Sequence, residues 1–168
     1  MKKPIETASI EEQEKVWDLI KDIKFAMFGT QGTDGRLYAR PMANQKRDAD
    51  GYLWFFTSAD SAKVDEIIHN PHVVLSYAEP DKNNYVSVSG AAMVVRDQAK
   101  IDELWSDFLK AFFPEGKNDP NVTLICVEPH SAEYWDNPSS TFVQAFGYLK
   151  GKVTGRPETL GENRIVRM

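Results

Sequence analysis

The spacing of apolar residues changes several times along this chain, and each change marks a new element. Ser9-Ile10-Glu11-Glu12 has the Ser-x-x-Glu form of a capping box, where a hydroxyl and a carboxylate satisfy the first amides of a helix. Val16, Trp17, Leu19, Ile20 and Ile23 follow at helical spacing, which predicts a helix from Ile10 to about Ile23. Phe25 to Thr30 reads as a strand, closed by the turn-rich Gln31-Gly32-Thr33-Asp34-Gly35. Leu37 to Gln45 reads as a second strand, with Pro41 marking an edge or a bulge. Tyr52 to Thr57 is aromatic throughout, so it is predicted to be a strand buried on both faces. A short helix is predicted over Ala62 to His69, with Val64, Ile67 and Ile68 as its apolar positions and Asn70-Pro71 as its stop.

Val73 to Ala78 and Tyr85 to Val95 predict two more strands, the second holding Gly90 at a bulge or close approach. Gln98 to Phe113 predicts a helix with Ile101, Leu104, Trp105, Phe108 and Phe112 on one side, ended by Pro114-Glu115-Gly116. Val122 to Val127 is a further strand, and Ser131 to Asp136 a short return strand. A last helix is capped by Ser139 or Ser140 and carries Phe142, Phe146, Leu149 and Val153. The tail from Gly155 is polar and reads as irregular. Helices inserted among about six strands in hairpin order predict an antiparallel barrel rather than a doubly wound parallel sheet, because the second and third strands connect too tightly.

Composition narrows the class. The 168 residues suit a single domain over 1–168, and an apolar fraction of 42% suits an ordinary globular core. A net charge of −5 argues against a nucleic-acid partner, which would call for a basic face. No window has the apolar length of a membrane span, and the N-terminus lacks the apolar core of a secretory signal, so a cytoplasmic protein is expected. Cys126 is the only cysteine and reads as a small buried hydrophobe. His69, His72 and His130 are too scattered for a metal site, and none is expected.

The candidate chemistry lies between Gly35 and Lys63. Thr57, Ser58, Ser61 and Lys63 bring hydroxyls and a cation to a point where a strand hands over to a helix. Helix starts leave amides unpaired and carry partial positive charge, so they favour anions, phosphate above all. Arg40, on the preceding strand, can reach the same end. A first-turn lysine opposes the helix dipole, which gives it little purpose there without an anion.

The ordered set Arg40-Pro41-Met42, Leu53-Trp54-Phe55-Phe56-Thr57-Ser58, Ser61-Ala62-Lys63, Asn70-Pro71-His72-Val73 and Tyr85-Val86-Ser87-Val88-Ser89-Gly90 resembles the pyridoxamine 5′-phosphate oxidase-like FMN-binding split barrels. Within them it is most similar to the general stress protein 26 group, as are Glu133-Tyr134-Trp135-Asp136, Pro138-Ser139-Ser140 and Gly161-Glu162-Asn163-Arg164. The resemblance implies a mainly β chain with appended helices, folded as a six-stranded antiparallel split β-barrel. It also implies a homodimer with FMN at the subunit interface.

By this resemblance Arg40, Ser61 and Lys63 contact the phosphate. Pro41, Met42 and Ala43 lie along the ring, and Phe56 and Thr57 stand beside the ring and the ribityl chain. Tyr85 falls where the oxidases carry a glutamine facing the flavin. Read from their own chemistry, Tyr134 and Trp135 are amphipathic and near a turn, which fits either rim packing or a wall beside the exposed flavin face. Ala62 and Gln45 stand where the oxidases carry basic residues, and their Arg-x-x-x-Ser and Arg-Leu-x-x-Arg motifs are missing. FMN binding therefore carries over, whereas vitamin B6 oxidation does not. The expected function is a flavin-dependent oxidoreductase served by a small-molecule reductant or substrate, with no catalytic residue assigned. A non-catalytic FMN carrier or sensor is the alternative.

Overall fold

The computed structural model describes residues 9–45, 47–136 and 162–168. It is mainly antiparallel sheet with helices set between the strands. The elements are α1 (Ile10–Ile20), β1 (Phe25–Gln31), β2 (Leu37–Ala43), β3 (Leu53–Ser58), α2 (Ala62–His69), β4 (His72–Glu79), β5 (Asn84–Val95), α3 (Gln98–Leu104), β6 (Val122–Asp136) and β7 (Glu162–Arg167). Strand order is β2-β1-β4-β5-β6-β3, with β7 paired to β6. The end strands β2 and β3 approach one another, as barrel closure requires.

The described residues form seven strands, not the expected six. The extra strand is β7, in the tail expected to be irregular. Of β7, Val166 is buried to 1% exposure. So few apolar positions leave a faint strand pattern, and the ladder to Ser131–Asp136 of β6 supplies the order. Ser131–Asp136 is itself the far end of β6 rather than a separate return strand. The predicted last helix, with Phe142, Phe146, Leu149 and Val153, lies outside the described residues.

By internal contacts the chain divides into two compact units. Of the described residues, one holds α1, 76–88, 131–136 and 162–168. Its α1 begins with the predicted capping box, Ser9 accepting from the Glu12 amide and the Glu12 carboxylate accepting from the Ser9 amide. The helix ends at Ile20, a turn earlier than predicted, with Ile23 still buried beyond it. Arg164 of β7 pairs with Glu12 at 3.1 Å, so this terminal cation serves the chain's own helix.

The other unit holds residues 24–75 and 89–130. Here β3 is buried along both faces, as its aromatic run predicts. Phe55 meets Phe28 of β1 edge-on at 5.2 Å. On the other face Trp54 and Phe56 pack with Ile101 of α3, Leu109, Phe113 and Cys126. The predicted long helix over Gln98 to Phe113 is broken: α3 ends at Leu104 and a short 3-10 segment occupies Asp107–Ala111. The break lets Trp105 and Phe113 both reach Phe56, at 5.7 and 6.4 Å between ring centres. A straight helix would have set them about 12 Å apart along its axis, too far for both to reach one ring.

Candidate functional site

In the second unit, β1 and β2 pair with Phe28 opposite Arg40. Phe28 points into the core, and Arg40 shares its face, so the guanidinium is carried inward rather than into solvent. Register between β3 and β6 sets Thr57 opposite Thr123, and both are buried. After Ser58 the chain turns through Ala59 and Asp60 into α2, which spans Ala62–His69 as predicted.

These elements enclose a cleft of about 290 Å³ walled by Phe25, Arg40, Pro41, Met42, Ala43, Phe56, Thr57, Ser58, Lys63, Leu109, Phe112 and Phe113. Seven of the sequence-predicted site residues thus share one cavity: Arg40, Pro41, Met42, Ala43, Phe56, Thr57 and Lys63. Ser61 joins them through its hydroxyl, 3.1 Å from that of Thr57. Tyr85 and Trp135 lie in the other unit, where Tyr85 is exposed and Trp135 half-buried. Tyr134, the neighbour of Trp135, is core: it is 1% exposed and has the Lys15 ammonium over its ring.

A larger hollow, about 510 Å³, is lined by Gln31, Leu37, Tyr38, Asn70, His72, Gly90 and His130 among others. It brings together two histidines that look unrelated in sequence, but among the described residues no lysine or arginine lines it. Size and chemistry therefore point to different cavities. The smaller cleft has the better claim, because it carries a cationic end and an aromatic end, the two things a planar anionic ligand needs.

At the cationic end Lys63 Nζ donates to Thr57 Oγ1 at 3.0 Å. Burial pushes the Lys63 ammonium below its usual value, and the nearby positive charge of Arg40 pushes it further, while Glu66 opposes the shift. No carboxylate among the described residues forms an ion pair with Lys63. The Ser61 hydroxyl makes no cap to α2, although Ser61 has the extended backbone of an N-cap. The Val64 amide already donates to the Ser61 carbonyl at 2.9 Å, so it is the Ala62 and Lys63 amides that keep their capacity for an outside acceptor. Two half-buried cations, a hydroxyl pair and an uncapped helix start form a donor set suited to a phosphate.

Arg40 has a partner that sequence reading missed. Its Nη2 donates to Glu66 at 2.7 Å, and its Nη1 donates to the Thr30 hydroxyl at 2.5 Å. Thr30 in turn donates to the same Glu66 oxygen. Glu66 was hidden because the α2 pattern was read through Val64, Ile67 and Ile68. In the structure Ile68 is 71% exposed, and Glu66, at 9%, takes the inward place. The signal was present in the helical spacing: Lys63, Glu66, Ile67 and Asn70 follow an i, i+3, i+4, i+7 stripe. Leu109, Phe112 and Phe113 were missed as site residues because an unbroken helix would have made them ordinary core.

The depressed Lys63 ammonium has a measurable consequence. Between its folded value and 10.5 the unfolded chain holds a proton that the folded chain has released, so this group's contribution to stability improves as pH rises through that window. Denaturant midpoints of wild type and Lys63→Met, compared across the alkaline range, should show wild type gaining on the variant. A constant difference would mean that Lys63 is not desolvated.

With this geometry in place, the chain's relatives become informative. A family model described as pyridoxamine 5′-phosphate oxidase like matches residues 11–158. The chain belongs to that family, and the fold is its split barrel. General stress protein 26 of Bacillus subtilis is 37% identical over 76 residues, 44% of this chain and 54% of that protein. Protein bli-3 of Neurospora crassa is 28% identical over 153 residues, 85% of this chain and 73% of that one. A solved structure from Xanthomonas citri, described as a general stress FMN/FAD binding protein, is 33% identical with a TM-score of 0.68, covering 79% of this chain and 93% of that one. Within the family the chain falls in the general stress protein 26 group. Among the described residues no helix is long and apolar enough to cross a membrane.

Proposed function

We propose that this protein binds FMN in the cleft between β2, β3 and α2 and acts as a flavin-dependent oxidoreductase on a small molecule. The observation that carries the reading is the convergence of Arg40, Lys63, Thr57 and Ser61 at one end of a cavity whose other end is Phe25, Phe112 and Phe113. Lys63 and Arg40 hold the phosphate with charge-assisted hydrogen bonds, and the start of α2 adds its amides. Pro41, Met42 and Ala43, with Phe56, flank the ring and exclude water from it. FMN, when bound, supplies the redox chemistry. Tyr85 remains assigned by the family resemblance alone, and Trp135 by its amphipathic ring beside a turn.

A homodimer completes this reading. The outward positions of β1, β2 and β4 in this unit include Phe25, Met27, Leu37 and Val74, each 39–82% exposed. Along this face Ala39, Pro41, Ala43, Gly29, Gln31 and His72 alternate with them, and no Asp, Glu, Lys or Arg interrupts it. An uncharged sheet face of this kind is suited to a second copy of the chain.

The carrier or sensor reading keeps one observation in its favour. Among the described residues no carboxylate, histidine or cysteine lines the cleft to move a proton. One sample separates the two. Freshly purified protein is expected to be yellow, dimeric in light scattering, and bleached near ~450 nm on anaerobic mixing with NADH or NADPH. A colourless protein that takes up no FMN overturns the binding site. A yellow protein that neither nucleotide reduces favours the carrier.

A further inference from the structure

Glu66 is the least expected group near the cleft: it does not line the cavity but pairs with Arg40, which does. It is a carboxylate, 9% exposed, in a place built to attract an anion. A buried carboxylate is tolerated when it is paired and hydrogen-bonded, and Glu66 is both: Arg40 donates to it at 2.7 Å and Thr30 at 2.5 Å. All three side chains are more than three-quarters buried, and Arg40, at 23% exposure, also lines the cleft.

We infer that Glu66 is a built-in counter-anion that sets how tightly, and so how reversibly, the cleft holds a phosphate-bearing ligand. The inference rests on the phosphate reading given above and concerns its regulation. Glu66 acts in two opposed ways. As a hydrogen-bond acceptor it fixes the Arg40 guanidinium, together with the Thr30 hydroxyl, so that little ordering remains to be done when a ligand arrives. As a negative charge it lowers the local potential. Arg40 and Lys63 supply two positive charges, Glu66 cancels one, and an arriving phosphate dianion therefore meets a net charge of one rather than two. Such a site holds a phosphorylated ligand and still releases it. Glu66 touches neither ring nor phosphate in this account, so it is a positioning residue and not a catalytic one.

The two actions separate in the isosteric amide. Glu66→Gln keeps an acceptor oxygen for Arg40 and removes the charge. FMN and riboflavin, which differ by the phosphate, are titrated into the flavin-stripped full chain and followed by flavin fluorescence. Glu66→Gln is expected to tighten FMN about tenfold and to leave riboflavin within about twofold of wild type. The FMN off-rate should fall with it. Unchanged or weaker FMN binding by Glu66→Gln, with wild type preferring FMN to riboflavin, overturns the inference and leaves the phosphate reading standing. A wild type that binds the two flavins equally overturns both. Should Glu66→Gln fail to fold, Glu66→Asp carries the test, because its carboxylate is withdrawn from Arg40 by one methylene. FMN affinity raised above wild type supports the inference, and affinity at or below wild type overturns it.

Discussion

Alanine at both Arg40 and Lys63 is expected to weaken FMN binding by roughly 10²- to 10⁴-fold, since each hydrogen bond to a charged group contributes about 1.5–3 kcal/mol. The two single variants should reach that loss by different routes. Lys63 is half-buried, and no carboxylate among the described residues pairs with it. Removing it deletes a ligand contact and relieves a desolvated charge, so the fold should lose little stability. Arg40 is paired with Glu66, whose side chain is 12% exposed. Removing Arg40 strands that carboxylate with the Thr30 hydroxyl as its remaining partner, at a cost of about 3 kcal/mol. For a chain of this size that is a fall of roughly 6–12 °C in melting temperature. The measurement is a flavin titration beside a thermal melt for each variant. Arg40→Ala should lose both affinity and stability, and Lys63→Ala affinity alone. A double variant that still purifies fully loaded with flavin would show that the phosphate lies elsewhere.

How far this site could be read from sequence depends on which atoms do the work. Lys63, Ser61 and Arg40 were legible because a cation in the first turn of a helix is out of place without an anion. Their convergence is a matter of register: Arg40 faces inward because it pairs with Phe28, and an interpretation shifted by one residue would have turned it outward. Glu66 is not legible as an inward residue, because the sequence offers Ile68 as the apolar position. Helical spacing allowed either, and the barrel chose the carboxylate because Arg40 was there to meet it. The aromatic end of the cleft depended on a break after Leu104. No glycine or proline marks that break. It follows from packing Trp105 and Phe113 on the same ring of Phe56, which is a tertiary demand. β7 was illegible for a similar reason, since its order comes from the β6 backbone rather than from its own side chains. By contrast α2, β3 and the capping box of α1 were legible, because local signals and burial agree there.

Gly90→Ala is expected to destabilise the protein by about 3 kcal/mol or more, although it adds one methyl group. A Cβ at Gly90 would stand 2.3 Å from the Glu128 carbonyl oxygen and 3.1 Å from both the Glu128 carbonyl carbon and the Pro129 Cα. Those are backbone atoms of β6, the strand next to β5, and they cannot turn aside as a side chain can. Gly29 gives the contrast. There the closest atom is a methyl of Val74 at 2.7 Å, which a rotamer change can move, so Gly29→Ala should cost less than half as much. The predicted close approach at Gly90 is thus a steric lock between β5 and β6, and the lock bears on the site. β6 carries Thr123 opposite Thr57, and Thr57 accepts from Lys63. Moving the β6 backbone to admit a methyl group at Gly90 should therefore disturb the phosphate end of the cleft through the β3 ladder. The expected result is a melting temperature lowered by roughly 6–12 °C together with weakened FMN binding, whereas Gly29→Ala keeps its flavin. A Gly90→Ala protein that melts within about 2 °C of wild type would mean that β6 yields at Glu128 and that no lock exists.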